Sequence, residues 1–229
     1  MNIVGINKLT LLDYPGLTAC TLFTGGCNFR CPFCHNASLV LDNSLPRIEE
    51  KEIFDFLEKR KNVLQGVCIT GGEPTLNFDL DLFIEKIKKI GYKVKLDTNG
   101  NKPEVISHLL SNKLIDYIAM DIKNSLDKYA ETVGIKNFNT FNIEKSAEIL
   151  LSAKIDYEFR TTVVKEFHTE EDFKKIGTWL SGGKAYYLQQ FVDSGKLIGD
   201  NINAYNKEKL QEFLQILKPF FSISGIRGI

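Results

Sequence analysis

The sequence predicts an α/β protein: a parallel sheet wound by repeated strand–helix units. Three observations carry this. Short apolar runs alternate with amphipathic segments over the whole 229 residues. Each amphipathic segment is long enough for a helix between two strands, so right-handed βα crossovers follow. No low-complexity linker or internal repeat divides the chain, so one domain over residues 1–229 is expected. About six units fit the length, two short of a complete eight-fold barrel, and the sheet is either open or curled.

In chain order, Ala19-Cys20-Thr21-Leu22-Phe23 is the first predicted strand and 49–61 the first helix. The apolar stretch 66–70, around Val67-Cys68-Ile69, is the second strand. Helix 79–90 follows, where Ile84, Ile87 and Ile90 recur at helical spacing between Lys86, Lys88 and Lys89. Strand 92–97 precedes helix 102–111, and strand 115–120 precedes helix 140–152. Between the last two lies 124–139, a partner surface or an ordinary loop, with Tyr129, Val133 and Phe138 among polar residues. Strand 155–163 leads to helix 169–180 and strand 185–190 to helix 206–218, with a further strand at 220–224.

Charges balance, 29 basic against 29 acidic, so nothing advertises a nucleic-acid or membrane surface. No run approaches the ~20 apolar residues of a membrane span. The start, Met1 to Lys8, lacks the pattern of a secretory signal. A cytoplasmic location is therefore expected, where clustered thiols read as metal ligands or catalysts. Cys20 and Cys68 sit in apolar runs and read as small core residues. His108 and His168 read as surface residues, Trp179 and the 16 Phe as core.

Cys27, Cys31 and Cys34 fall in Gly25-Gly26-Cys27-Asn28-Phe29-Arg30-Cys31-Pro32-Phe33-Cys34-His35-Asn36, spaced C-x3-C-x2-C. Such close thiolates can converge on one metal centre, and three chemistries compete. Cys31 to His35 has the C-x-x-C-H form of haem attachment, but that needs export and leaves Cys27 surplus. A Cys3His zinc site needs His35, which adjoins Cys34, and neighbouring side chains seldom meet on one small ion. A four-iron cluster usually takes four thiolates; with three, one iron stays open for chemistry. The last reading accounts for every clustered thiol.

Other polar motifs fall at strand ends. Gly71-Gly72-Glu73-Pro74 follows the second strand, Asp97-Thr98-Asn99-Gly100 the third and Asp121-Ile122-Lys123 the fourth. In parallel βα architectures such positions share the C-terminal edge, so one site is expected to gather them.

Together these motifs resemble the radical S-adenosylmethionine enzymes, whose C-x3-C-x-φ-C loop has its aromatic here at Phe33. Gly71 to Pro74 is similar to that family's second motif. Cys34-His35-Asn36, Leu96 to Gly100 and Met120 to Lys123 look like those of the enzymes that activate glycyl-radical enzymes. Leu11-Leu12-Asp13-Tyr14-Pro15-Gly16 points to the branch serving anaerobic ribonucleotide reductase. The resemblance covers nearly the whole chain. It implies a single-domain partial (β/α)6 TIM-like barrel with parallel strands and a cluster loop at 24–36.

The resemblance also implies one four-iron, four-sulfur cluster on Cys27, Cys31 and Cys34. S-adenosyl-L-methionine would bind beside it, near Phe33 and held by Gly71, Gly72, Glu73 and Pro74. Asp97, Thr98 and Asp121 are similar to residues near the cofactor, where some relatives hold an alkali cation; otherwise they would cap the following helices. Lys123 and Arg160 would meet the cofactor carboxylate or place the substrate backbone, or else be solvated charges. The implied reaction is reductive cleavage to a 5′-deoxyadenosyl radical, which takes hydrogen from a backbone glycine of anaerobic ribonucleoside-triphosphate reductase. The electron would come from a flavodoxin or ferredoxin. The Gly-x-Ile-x-Gly-x-x-Glu adenine motif is absent in clean form, which leaves the adenine contacts unassigned. Competing functions are a small-molecule radical enzyme such as 7-carboxy-7-deazaguanine synthase, and a non-catalytic zinc or electron-transfer module.

Overall fold

The structure is a computed structural model that describes residues 1–42, 44–193 and 195–229. Eight strands stand in the sheet in chain order, and the chain packs as two compact units. The α/β class is the one the sequence predicts.

The first unit holds residues 1–28, 38–98 and 104–118. It contains β1 (Ile3–Thr10), β2 (Ala19–Thr24), most of α1 (Ala37–Leu41), α2 (Glu50–Arg60), β3 (Gly66–Gly71), α3 (Leu80–Ile90), β4 (Lys93–Thr98) and nearly all of α4 (Pro103–Ser111). β2 pairs parallel with β3 and β3 with β4; Thr24 stands opposite Gly71. The apolar runs are buried as read: Cys20, Leu22, Val67, Cys68, Ile69, Val94 and Leu96 are all fully covered. Each large apolar side chain so buried contributes roughly 1.5–3 kcal/mol. α3 stops where Gly91 turns left-handed and donates its N–H to the Lys88 carbonyl.

β1 was not predicted. Gly5, Asn7 and Lys8 dilute its apolar pattern, yet it pairs antiparallel with β2, with Gly5 against the Phe23 ring. The short α1 was also missed, being only five residues long. β4 runs one residue further than predicted and takes in both Asp97 and Thr98.

β5 (Tyr117–Asp121) begins in the first unit and ends in the second. The second unit comprises residues 29–37, 99–103 and 119–229. It adds α5 (Tyr129–Thr132), α6 (Phe141–Leu151), β6 (Asp156–Val163), α7 (Glu170–Trp179), β7 (Gly183–Gln190), α8 (Lys207–Leu217) and β8 (Phe221–Arg227). β6, β7 and β8 are parallel, with Arg160 opposite Tyr187 and Tyr187 opposite Gly225. Along β6, Tyr157, Phe159, Thr161 and Val163 alternate with Glu158, Arg160 and Thr162, so one face is mainly apolar and the other polar. α7 opens on a reciprocal cap between Thr169 and Asp172.

Three readings need correction here. His168 is not a surface residue: it is fully buried. Segment 124–139 contains α5, and its Tyr129 and Val133 are fully buried rather than offered to a partner. Trp179 is only half-buried, and Phe78 is 98% exposed, so the aromatic residues are not all core. Among the described residues no helix is long and apolar enough to cross a membrane.

Candidate functional site

In the first unit the Gly-Gly-Glu-Pro motif serves the cysteine loop before it serves any ligand. Gly71 closes β3 with φ of 113°, and a Cβ there would lie 2.4 Å from the Thr24 nitrogen. A Cβ on Gly72 would lie 1.9 Å from the Gly26 carbonyl oxygen. That same oxygen accepts the Glu73 N–H at 2.8 Å, while Gly72 N–H donates to Thr24 O at 2.8 Å. Gly26 in turn donates to Leu39 O of α1 at 2.7 Å. The base of the loop, just before Cys27, is thus bonded on both sides to the neighbouring backbone.

Glu73 is buried, and its Oε1 accepts from Thr75 N at 3.1 Å, Thr75 Oγ1 at 2.5 Å and Thr98 Oγ1 at 2.7 Å. It caps the single turn Pro74–Leu76, which fixes buried Pro74. Thr98 and Glu73 are therefore brought together. Asp97 and Thr98 do not cap a helix, since α4 starts only at Pro103. Instead the Asp97 carboxylate pairs with Lys95 two residues earlier on the same face of β4. Lys95 was missed: it is a fully buried ammonium, also 3.8 Å from the Cys68 sulfur. Nothing in a Lys-Val-Lys strand distinguishes such a lysine from a solvated one. Burial pushes the Cys20 thiol up to about 12, consistent with a core role.

In the second unit Cys31 is buried and Cys34 half-buried, and burial raises the Cys34 thiol. Phe33 anchors the loop, its ring 5.8 Å from Phe167 and 6.2 Å from His168. His168 Nε2 lies 2.8 Å from the Lys123 carbonyl, so one buried side chain links loop and strand end. Phe29 packs edge-on against Phe138, which stacks on Tyr129.

Lys123 and Arg160 do meet, on Asp121. Lys123 Nζ donates to Oδ2 at 3.0 Å, and Arg160 Nε and Nη2 donate to Oδ1 at 3.0 and 2.9 Å. Neither cation is a solvated strand flank. Burial alone would raise the Asp121 carboxyl, but the two cations outweigh it and hold it well below the carboxylate range. The network continues to two residues that sequence reasoning missed. Glu158 is fully buried and takes a two-pronged bond from Arg227, at 2.6 and 2.7 Å, with Arg160 Nη1 at 4.0 Å. Arg227 lies over the Tyr187 ring, 3.7 Å from its centre. No sequence signal links positions 69 residues apart.

The Asp121 shift gives a pH prediction. A carboxyl lowered in the folded state adds stability above its unfolded value, near 4, that is lost as pH falls toward its folded value. Asp121→Asn should therefore flatten the loss of stability below about pH 4, read by urea unfolding of the metal-free chain. A variant that tracks wild type throughout would refute the ion-pair assignment.

A glycine-pinned loop bearing three closely spaced cysteines, at the end of the first parallel strand of an α/β sheet, defines a cluster-binding enzyme class. Residues 21–180 match the model of the radical SAM superfamily, and the chain belongs to that superfamily. A Methanocaldococcus jannaschii protein, provisionally named a glycyl-radical enzyme activating enzyme, is 38% identical over 246 aligned positions. That match covers 98% of this chain and 95% of the relative. Among solved structures, Streptococcus suis SuiB bound to S-adenosylmethionine has a TM-score of 0.70 at 16% identity, over 87% of this chain and 48% of SuiB. A domain of the Bacteroides vulgatus pyruvate-formate lyase-activating enzyme gives 0.55 at 18%, over 71% of this chain and 99% of that domain. At these identities the likeness to solved structures is one of fold.

Membership implies a four-iron, four-sulfur cluster and S-adenosylmethionine. By chemistry the donors suit such a cluster, since none of the five cysteines is in a disulfide; among the described residues, however, no three potential ligands are grouped as a ready-made metal site.

Proposed function

We propose that this chain activates a glycyl-radical enzyme, with anaerobic ribonucleoside-triphosphate reductase as the partner and a flavodoxin or ferredoxin as electron donor. The observation that supports it most is the bond between the two motifs: Glu73 N–H to Gly26 O, with no room for a side chain at Gly72. A zinc or electron-transfer module has no need to build Gly-Gly-Glu-Pro into the base of its cysteine loop. The Methanocaldococcus jannaschii relative, matched over 95% of its length, is provisionally named an activating enzyme of this general kind, which supports the activation half of the reading.

In this reading Cys27, Cys31 and Cys34 hold the cluster. When bound, cluster and S-adenosylmethionine together supply a 5′-deoxyadenosyl radical that takes hydrogen from a partner glycine. Gly71 to Pro74 orient the methionine end through their fixed backbone. Lys123 and Arg160, held on Asp121, offer N–H donors to a carboxylate or a peptide carbonyl. An alkali cation at Asp97, Thr98 and Asp121 would have to share carboxylates already paired with Lys95, Lys123 and Arg160.

The test is anaerobic reconstitution with iron and sulfide, then reduction with S-adenosylmethionine present. 5′-Deoxyadenosine should form with wild type and fall to background with Cys31→Ala. Adding purified anaerobic ribonucleotide reductase should then give a glycyl-radical EPR doublet. Turnover of a pterin with no protein partner would instead make this a small-molecule enzyme. A loaded cluster with no cleavage would reject both.

A further inference from the structure

Two glycines that no motif singles out press on the cysteine loop. Gly134, after α5, has φ of 69°, and a Cβ there would lie 2.4 Å from the Arg30 carbonyl oxygen. Beside it, the Val133 carbonyl accepts the Arg30 N–H at 2.9 Å. Gly199, between β7 and α8, donates its N–H to Pro32 O at 2.8 Å. A Cβ on Gly199 would stand 2.6 Å from Pro32 Cβ and 3.1 Å from Pro32 Cα. Gly199 has no positive φ, so only space demands a glycine there.

Pro32 is the residue that follows Cys31 and precedes Phe33-Cys34. Contact at this point acts directly on the spacing of two thiols. The strap carrying Gly199 is itself fixed at its far end. Lys165 N–H donates to Asn203 O at 3.0 Å, and Val164 bridges Ala204. Asn203 donates its N–H and its amide to the Glu166 carboxylate at 3.0 and 2.9 Å. Tyr205 OH donates to His168 O at 2.8 Å, and His168 returns to the loop through Phe33. The circuit from Pro32 through the strap to Phe33 is closed.

We infer that Gly199, seconded by Gly134, is a positioning residue of the cluster, setting Cys31 and Cys34 through the Pro32 backbone. It touches no ligand atom itself. The inference rests on the cluster reading above. Overpacking against a rigid proline ring cannot be relieved by rotating a side chain, so the backbone of the loop or of the strap must shift, and the strap is held by its bonds to Lys165 and Glu166.

The experiment is Gly199→Ala in the full chain, with two readouts. Oxidative bleaching of the reconstituted cluster should run about 10-fold faster than in wild type, the size expected when outer support of a metal site is disturbed. In the cluster-free chain, amide hydrogen exchange over residues 29–36 should also quicken. Pro32→Gly removes the nearest atom that the new methyl meets, the Pro32 Cβ at 2.6 Å. The double variant should therefore bleach no faster than Pro32→Gly alone, a non-additivity that general destabilisation would not produce. Equal bleaching and equal exchange in wild type and Gly199→Ala overturn the inference, as does simple additivity in the double variant. If wild type takes up no cluster at all, the cluster reading fails. Exchange in the cluster-free chain then still decides whether Gly199 holds the loop.

Discussion

Gly72→Ala is expected to give a folded protein that no longer takes up a cluster. The added methyl would sit 1.9 Å from Gly26 O and 2.6 Å from Gly26 C. Both are backbone atoms, so the base of the loop must shift. That shift also pulls Gly26 O away from the Glu73 N–H it accepts at 2.8 Å. Overpacking of this kind costs about 1–3 kcal/mol, which for a chain of this size lowers Tm by several degrees, roughly 2–4 °C per kcal/mol. Iron content after reconstitution should fall by at least about 10-fold. Gly91→Ala is the control. Its φ of 109° strains an alanine, but no atom lies within 4 Å, so it should destabilise without affecting iron content. Normal loading in Gly72→Ala would mean that the loop base tolerates movement and the two motifs are not mechanically joined.

Breaking the buried pair of Glu158 and Arg227 should be the most destabilising change in the second unit. Glu158→Leu leaves Arg227 facing an apolar side chain, and Arg227→Met leaves a fully buried carboxylate with its two-pronged partner gone. Losing one partner of a buried pair costs about 3–5 kcal/mol. The side chain of Arg227 is a third exposed, so water can recover part of that for the arginine but little for Glu158. Replacing both together should restore most of the stability, because the desolvated charges vanish with the pair. Urea unfolding of the two single variants and the double variant closes the cycle. If the double variant is as unstable as the worse single variant, the pair acts through packing on Tyr187 and not through charge.

Sequence reading succeeded where the information was contiguous. The apolar runs of β2, β3 and β4, the helical spacing of α3, and Gly71 to Pro74 are all visible within a few residues. It also singled out Asp121, Lys123 and Arg160 one by one, though not the ion pairs that join them. What failed was long-range. Gly199 matters only because Pro32 lies against it, and Lys95 is buried only because of what packs round β4. His168 sits in a polar run, yet the fold closes over it and engages both ring nitrogens with backbone at 164 and 123. β1 was hidden by composition: Gly5 and Lys8 break its pattern, and pairing with β2 supplies what propensity does not.

The grips on the cysteine loop, at Gly26, Arg30 and Pro32, bear on how the metal is acquired. Small zinc domains fold only as they bind, so chelators unfold them. Here backbone bonds hold Gly26 within the first unit and Arg30 and Pro32 within the second, so part of the entropy of ordering each stretch is met during folding of the polypeptide. Cluster delivery would thus meet backbone that is already ordered on either side of the thiols rather than fold the chain around the metal. Stripping iron should accordingly leave circular dichroism and the cooperative melt nearly unchanged, and the metal-free chain would remain a competent acceptor when iron and sulfide return.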